Sequence, residues 1–368
     1  MNDAVAARPP PRPAAGILAW LRSNLLSSPL NVALTLASLA ILYVAGSAAW
    51  QWLVIDAQWR GEGPGACPDK NAACWPFIRA RFDQFMYGFY PVEERWRANL
   101  GIGLALLLAI PMFIGRFRHK GWLALGLAVA FPAIGIVLLR GGFFGLPVVE
   151  TSQWGGFFLT IVAAVFVLAT ALPLAVLLAL GRHVTAPPLI RSICAIWIEL
   201  WRSVPALVLL FVAIVMFPLF MPQGVEVDKL LRALIALTIL MSAYLAEAIR
   251  GALNSIGSGQ YEAAAALGMS YWHRTRLVIL PQALPVALPQ ITSNFIGLFK
   301  ETTVLLVIGL FDLLGMVQTA SSDPQWLSVG TSATGYVFAA LFFWIFCFSF
   351  SRYTAYLERR TGTGLEAS

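Results

Sequence analysis

Long stretches without Lys, Arg, Asp or Glu dominate the chain: Ser23–Ile55, Ala98–Gly115, Gly121–Leu139, Thr151–Gly181, Ser203–Val225 and Pro324–Ser351. At about 1.5 Å per residue, each is long enough to cross a hydrocarbon core of roughly 30 Å as a helix. Two further apolar stretches carry charge, Ala233–Ile249 with Glu247 and Pro285–Phe311 with Lys300 and Glu301. Together they predict an all-α integral membrane protein with about eight transmembrane helices. A chain that is 59% hydrophobic and only 12% charged, with a mean hydropathy of +0.76, lacks the charged surface a water-soluble domain needs.

Lys and Arg set the orientation. With the N-terminus inside, the short cytoplasmic segments collect Arg8, Arg12 and Arg22, then Arg116, Arg118 and Lys120, then Arg182, Arg191 and Arg202. Arg250, Arg274 and Arg276 follow, and the series ends with Arg352, Arg359 and Arg360, so both termini are expected in the cytoplasm. In the first outer loop, 56–97, Arg60, Lys70, Arg79, Arg81, Arg95 and Arg97 are nearly balanced by Asp56, Glu62, Asp69, Asp83, Glu93 and Glu94. The net charge of +7 therefore reads as positive-inside topology and contact with anionic lipid, with no need of nucleic acid.

The Pro- and Ala-rich residues 1–28 read as a cytoplasmic disordered tail. Residues 29–150 supply three spans with no strongly polar group deep in a helix, a three-helix N-terminal extension. From 151 to 356 polar and helix-breaking residues multiply, and 357–368 form a cytoplasmic tail. Cys67 and Cys74 lie in the outer loop with six residues between them, which allows a disulfide in an oxidising compartment; free thiols or a metal site are the rival readings. The aromatic segment Trp75–Tyr90 reads as a helix lying at the outer interface.

Between two apolar stretches lies a soluble-looking segment, Gly259-Gln260-Tyr261-Glu262-Ala263-Ala264-Ala265-Ala266-Leu267-Gly268. Ser258 or Gly259 can cap its N-terminus, Gln260–Leu267 favour helix, and Gly268 can take the left-handed closing conformation. Ser270 can cap a second helix that stops before Pro281. Such a hairpin turns small alanine faces outward, with Glu262 as a charged anchor. Pro281, Pro285 and Pro289 oppose a straight helix, so the approach to the next span should be bent or broken, as a moving gate or as a structural kink.

Lys300 and Glu301 inside a span are costly, by about 2.5–3.5 kcal/mol each on insertion scales, and point to a gate or substrate path or to bridging between subunits. Ser293, Asn294 and Thr302 are candidates for the same face. Glu247 is either part of such a path or an i,i+3 partner of Arg250. His119, His183 and His273 are isolated, which argues against a metal or catalytic site, and no Gly-x-x-x-x-Gly-Lys-[Ser/Thr] phosphate loop occurs.

Ordered blocks make the reading specific: Trp154-Gly-Gly with Leu159-Thr160, Ile198-Glu-Leu-Trp-Arg-Ser-Val-Pro205, Ser242-Ala-Tyr-Leu-Ala-Glu247-Ala-Ile-Arg250-Gly251, the segment Gly259–Ala264, and Val278-Ile-Leu-Pro281-Gln-Ala283. Over about residues 150–355 the chain resembles the polar-amino-acid permeases of ATP-binding-cassette importers, with Lys300-Glu301-Thr302-Thr303 where that family usually shows Lys-Asp-Thr-Ser. The extension, the Cys-containing loop and Phe311-Asp312-Leu313-Leu314-Gly315 make it similar to the larger permease subunit of general L-amino-acid importers.

The resemblance implies a type I importer permease core with a cytoplasmic coupling loop, 251–284, whose Gly259, Glu262, Ala263, Ala264 and Gly268 dock a separate ATPase. It implies a non-catalytic subunit of the bacterial inner membrane, moving L-amino acids from periplasm to cytoplasm. No cofactor is expected on this chain; ATP and Mg belong to the ATPase dimer. The other expected partners are a homologous second permease, a periplasmic amino-acid-binding protein and membrane lipid. The competing reading is an ion-coupled secondary transporter or channel working alone.

Overall fold

The computed structural model describes residues 16–69, 71–113, 126 and 131–361. Among them there is no β-strand, only the isolated bridges Gln58–Cys74, Gly88–Trp154 and Gly156–Asp312. Five helices are long and apolar enough to cross a membrane, six if one sharply bent pair counts as a span. The expected spans Ala98–Gly115 and Gly121–Leu139 lie partly outside the described residues, as do both tails; Arg8, Arg12, Arg116, Arg118, His119 and Lys120 lie wholly outside them.

After a short helix α1 (Ile17–Asn24), α2 (Pro29–Trp50) starts where Ser28 Oγ accepts from the Asn31 amide at 3.2 Å and Pro29 occupies the first turn. Both are start signals, because the first amides of a helix need outside acceptors and proline has none to satisfy. No residue of α2 is buried within this chain.

The outer loop then folds back onto the bundle. Cys67 and Cys74 are joined in a disulfide with Cα atoms 5.9 Å apart, and the Cys74 amide donates to Thr334 Oγ1 at 2.8 Å. Helix α3 (Trp75–Tyr87) does not lie free at the interface. Its Phe77, Ile78 and Phe85 are buried against Leu313, Met316, Val317 and Trp326. Three arginines of this loop are in ion pairs: Arg81 with Asp323, beyond the loop, Arg95 with Asp83 at 2.7 Å, and Arg97 with Glu94 at 2.8 Å.

Arg97, at the start of α4 (Arg95–Phe113), is fully buried and also donates to the Pro147 carbonyl at 3.1 Å. Helix α5 (Phe131–Ile134) continues as a π-helical segment to Arg140.

The centre is α6 (Gly156–Arg182) packed along α9 (Lys229–Ser255), the most extensive helix contact in the molecule. Between them run α7 (Pro188–Ser203) and α8 (Ala206–Phe211), bent by 98° at Val204-Pro205. The residue before a proline is pushed to extended backbone, and Val204 at φ −89°, ψ 125° obeys. The bend falls at the start of the expected span Ser203–Val225, whose helical part is Ala206–Phe220.

Beyond α9 come α10 (Ser258–Ala266), α11 (Tyr271–Arg274), α12 (Leu280–Glu301), α13 (Leu313–Ser321) and α14 (Val329–Thr361).

Glycines make the start of α6 possible. Gly156 has φ +64°, and a Cβ there would stand 2.4 Å from the Phe85 carbonyl oxygen. Its amide donates to the Phe311 carbonyl at 2.9 Å, so helix start, outer loop and the 311 segment meet within one backbone's width. Gly156→Ala is expected to cost about 2–3 kcal/mol or more, from strained φ and the clash together. Thermal unfolding of the purified protein should show a drop of several degrees, whereas Gly251→Ala, with no neighbour within 4 Å of its Cβ, should be neutral or slightly stabilising.

A candidate coupling helix and a polar stripe

Helix α10 spans Ser258–Ala266 and stands at the end of the bundle that carries Arg182, Arg202, Arg250 and Arg274. Neither Ser258 nor Gly259 caps it; Gly257 holds the capping position without a side-chain bond. Its end is closed as a Schellman motif: the Met269 amide donates to the Ala264 carbonyl at 3.2 Å and the Gly268 amide to the Ala265 carbonyl at 2.9 Å. Gly268 supplies the required left-handed residue at φ +71°.

Gly259, Glu262, Ala263, Ala265 and Gly268 are exposed, and Leu267 is 81% exposed. Ala264 is buried and faces the bundle, so the outward alanine face consists of its neighbours.

The following segment corrects two expectations. The helix does not stop before Pro281, nor is it broken: Tyr271–Ile308 is one continuous helical span of 38 residues. A π turn, Thr275–Ile279, precedes Pro281, with the Leu280 amide reaching back to the Thr275 carbonyl. Pro281 then falls in the first turn of α12, where a missing donor costs least.

Along α12, Gln290, Ser293, Lys300 and Glu301 are exposed, and steps of three, seven and eight residues put them on one face. Asn294 is half-buried beside it. Thr302 is on the other side: fully buried, it donates to the Phe299 carbonyl at 3.0 Å and lies 3.4 Å from Asp312 Oδ2. Lys300 and Glu301 form no ion pair among the described residues.

Glu247 sits apart, on α9. Arg250 binds its carboxylate from one turn away, and Arg182 Nη1 at the end of α6 approaches at 3.1 Å while its Nη2 holds Glu199 of α7 at 2.7 Å. The i,i+3 partner is thus one side of a network tying three helices. Arg182 and Glu199 had no sequence signal, because nothing local relates residues on different helices.

Asp312 was legible only as part of a motif. It is fully buried, caps α13 by accepting from the Gly315 amide at 3.0 Å, and is pushed up to about 6 by burial, which outweighs the hydrogen bonds from Gly315, Thr302 and Leu314. Among the described residues no group of three or more His, Cys, Asp or Glu is placed to share a metal ion.

A bundle of long apolar helices that exposes one short polar helix at its basic end is the architecture of a membrane component that works with a partner outside the bilayer. Residues 171–363 match the family model described as binding-protein-dependent transport system inner membrane component. The chain is 46% identical to YhdY, an inner membrane amino-acid ABC transporter permease protein of Escherichia coli, across 96% of this chain and 97% of that one. It is 37% identical to BztC, a glutamate/glutamine/aspartate/asparagine transport system permease protein of Rhodobacter capsulatus, across 98% and 97%. A solved amino acid ABC transporter with histidines is 28% identical, with 56% of this chain and 92% of that chain covered and a TM-score of 0.48. The chain belongs to the binding-protein-dependent transport system inner membrane component family.

Asp312 gives a pH dependence with a defined sign. Its folded pKa of about 6 lies above the ordinary carboxyl value of about 3.9, so between these values the folded state holds more protons and stability falls as pH rises. Above about pH 6 the penalty is constant, on the order of 3 kcal/mol. In thermal unfolding, the gap between Asp312→Asn and the native protein should change between pH 4.5 and pH 7, the variant gaining relative stability at the higher pH.

Proposed function

We propose that the chain is the larger permease subunit of an ATP-driven importer that moves L-amino acids from the periplasm to the cytoplasm. In this reading α10 and the loop 251–284 dock a cytoplasmic ATPase dimer that holds ATP and Mg²⁺. A periplasmic amino-acid-binding protein delivers substrate, and a second, homologous permease completes the pathway. Residues 151–356 form the transport core, 29–150 an added module whose outer loop caps it, and both termini face the cytoplasm.

The observation that carries this reading is α10 itself. Its Gly259, Glu262, Ala263 and Gly268 side is solvent-facing, and Glu262 forms no ion pair among the described residues. A stand-alone ion-coupled transporter has no use for such a helix, whereas small residues at a helix end let a partner's groove approach closely. The amino-acid cargo is supported by the two near-full-length relatives, both named as amino-acid permeases.

Nothing lies within 4 Å of a Cβ placed on Gly268, but its φ of +71° strains any side chain, so Gly268→Asp disturbs both the end of α10 and the docking contact while leaving the buried core unfilled. Copurified ATPase and uptake should fall about tenfold, the equivalent of about 1.4 kcal/mol, while the chain still inserts. Full uptake in that variant would rule out the docking face.

The polar stripe of α12 is assigned to the substrate path or gate. A zwitterionic amino acid offers one carboxylate and one ammonium that Lys300 and Glu301 can complement. Lys300→Met and Glu301→Gln should each lower uptake by about tenfold or more with the complex assembled. Normal transport of several amino acids by both variants would place the path elsewhere.

A further inference from the structure

The inward side of α10 carries a ring that docking does not explain. Tyr261 lies flat against the imidazole of His183, with ring centroids 5.6 Å apart and planes 12° apart. The Arg274 guanidinium stands 5.8 Å from the same ring's centre, and Tyr261 Oη donates to the Leu253 carbonyl near the end of α9 at 3.3 Å. His183 is 8% exposed and directly follows Arg182, the residue that pairs with Glu199 and Glu247. Its Nδ1 is engaged by the Thr185 hydroxyl at 3.0 Å. Burial, then the charges of Arg250 and Arg274, push His183 below its ordinary pKa, and the neutral ring that results carries no positive charge to repel Arg274 across the shared tyrosine.

The covalent links to α10 are soft. Gly257 precedes it and Gly268, in the left-handed conformation, follows it, so the chain alone would let the helix pivot about its ends. An aromatic pair with two χ angles per ring is stiff, and is worth about 0.5–1.5 kcal/mol beyond its buried area. Behind it, the ion pairs of Arg182 at 2.7 and 3.1 Å fasten the end of α6 to α7 and α9.

We propose that His183 is a positioning residue which, through its stack on Tyr261, transmits displacement of α10 to the ends of α6, α7 and α9. The role rests on the reading of α10 as the ATPase-docking helix. His183 points inward and is shielded by α10, so it acts through Tyr261.

The test uses the whole transporter, both permeases, the ATPase and the binding protein, in proteoliposomes. Three quantities are read: ATPase retained, substrate-stimulated hydrolysis, and uptake per ATP hydrolysed. His183→Ala should retain the ATPase yet lower uptake per ATP about tenfold, the equivalent of about 1.4 kcal/mol. His183→Phe, which keeps a ring, should recover most of it. Tyr261→Leu, which keeps an apolar side chain against the core that Tyr261 packs on, should repeat the loss and serves if His183→Ala fails to assemble.

A normal coupling ratio in His183→Ala or Tyr261→Leu overturns the role, as does loss of the ATPase from both, which would make the stack part of docking. So does an assembled His183→Phe complex that stays uncoupled. Gly268→Asp separates the two readings. If it keeps ATPase and uptake, the docking face is wrong; if it loses the ATPase while His183→Ala keeps the native ratio, only the transmission role falls.

Discussion

In hydrocarbon an unpaired backbone carbonyl or amide costs several kcal/mol, and this chain places prolines at membrane depth where they create such groups. The segment after α8 shows how the debt is met. Pro218 has no N–H to give the Ile214 carbonyl, and the π turn Val212–Met216 sends the Phe217 amide back to the Val212 carbonyl, freeing Ala213 as well. Arg232 of α9 reaches across and donates to both, at 2.7 Å to Ile214 and 3.2 Å to Ala213. A half-buried cation, a π turn and a proline are therefore one device. The same constraint governs α12, where the π turn Thr275–Ile279 lets the helix run past Pro281 without a break.

This is also where reading the sequence stopped. Helices α2, α6 and α14 were visible because charge-free length is a local property, α9 was visible as an apolar run despite Glu247, and Gly268 was readable as a helix stop because only its own backbone conformation is involved. Prolines at 281, 285 and 289 pointed to a bend or a break; the helix runs on without a break, and the π turn ahead of Pro281 leaves no mark in residue type. The Val204-Pro205 bend carried a local signal that the uninterrupted hydrophobicity of 203–225 concealed.

The outer-loop helix α3 shows the opposite failure. Its amphipathic pattern was right, but an apolar face can be covered by lipid or by protein, and periodicity does not say which. Its cover is α13 and α14. Contacts such as Arg182–Glu247, Tyr261–His183 and Thr302–Asp312 join residues 10 to 78 positions apart and were outside the reach of any local pattern.

The charged groups of the membrane region divide into two kinds, and the division locates function better than their number does. Arg97, Arg232 and Glu247 all end on carbonyls or opposite charges within the chain; they are accounted for by structure. Lys300 and Glu301 are not. Adjacent positions on a helix do not face each other, so the i,i+1 geometry keeps Lys300 and Glu301 from serving as close partners. A carboxylate exposed on an apolar helix, with no ion pair among the described residues, is the kind of group that water in a path or a cation on a second subunit would stabilise. The first makes Glu301 part of the route, the second part of the seam beside it. In the transporter proposed above, the exposed face of α12 is the side that meets the path or the second permease.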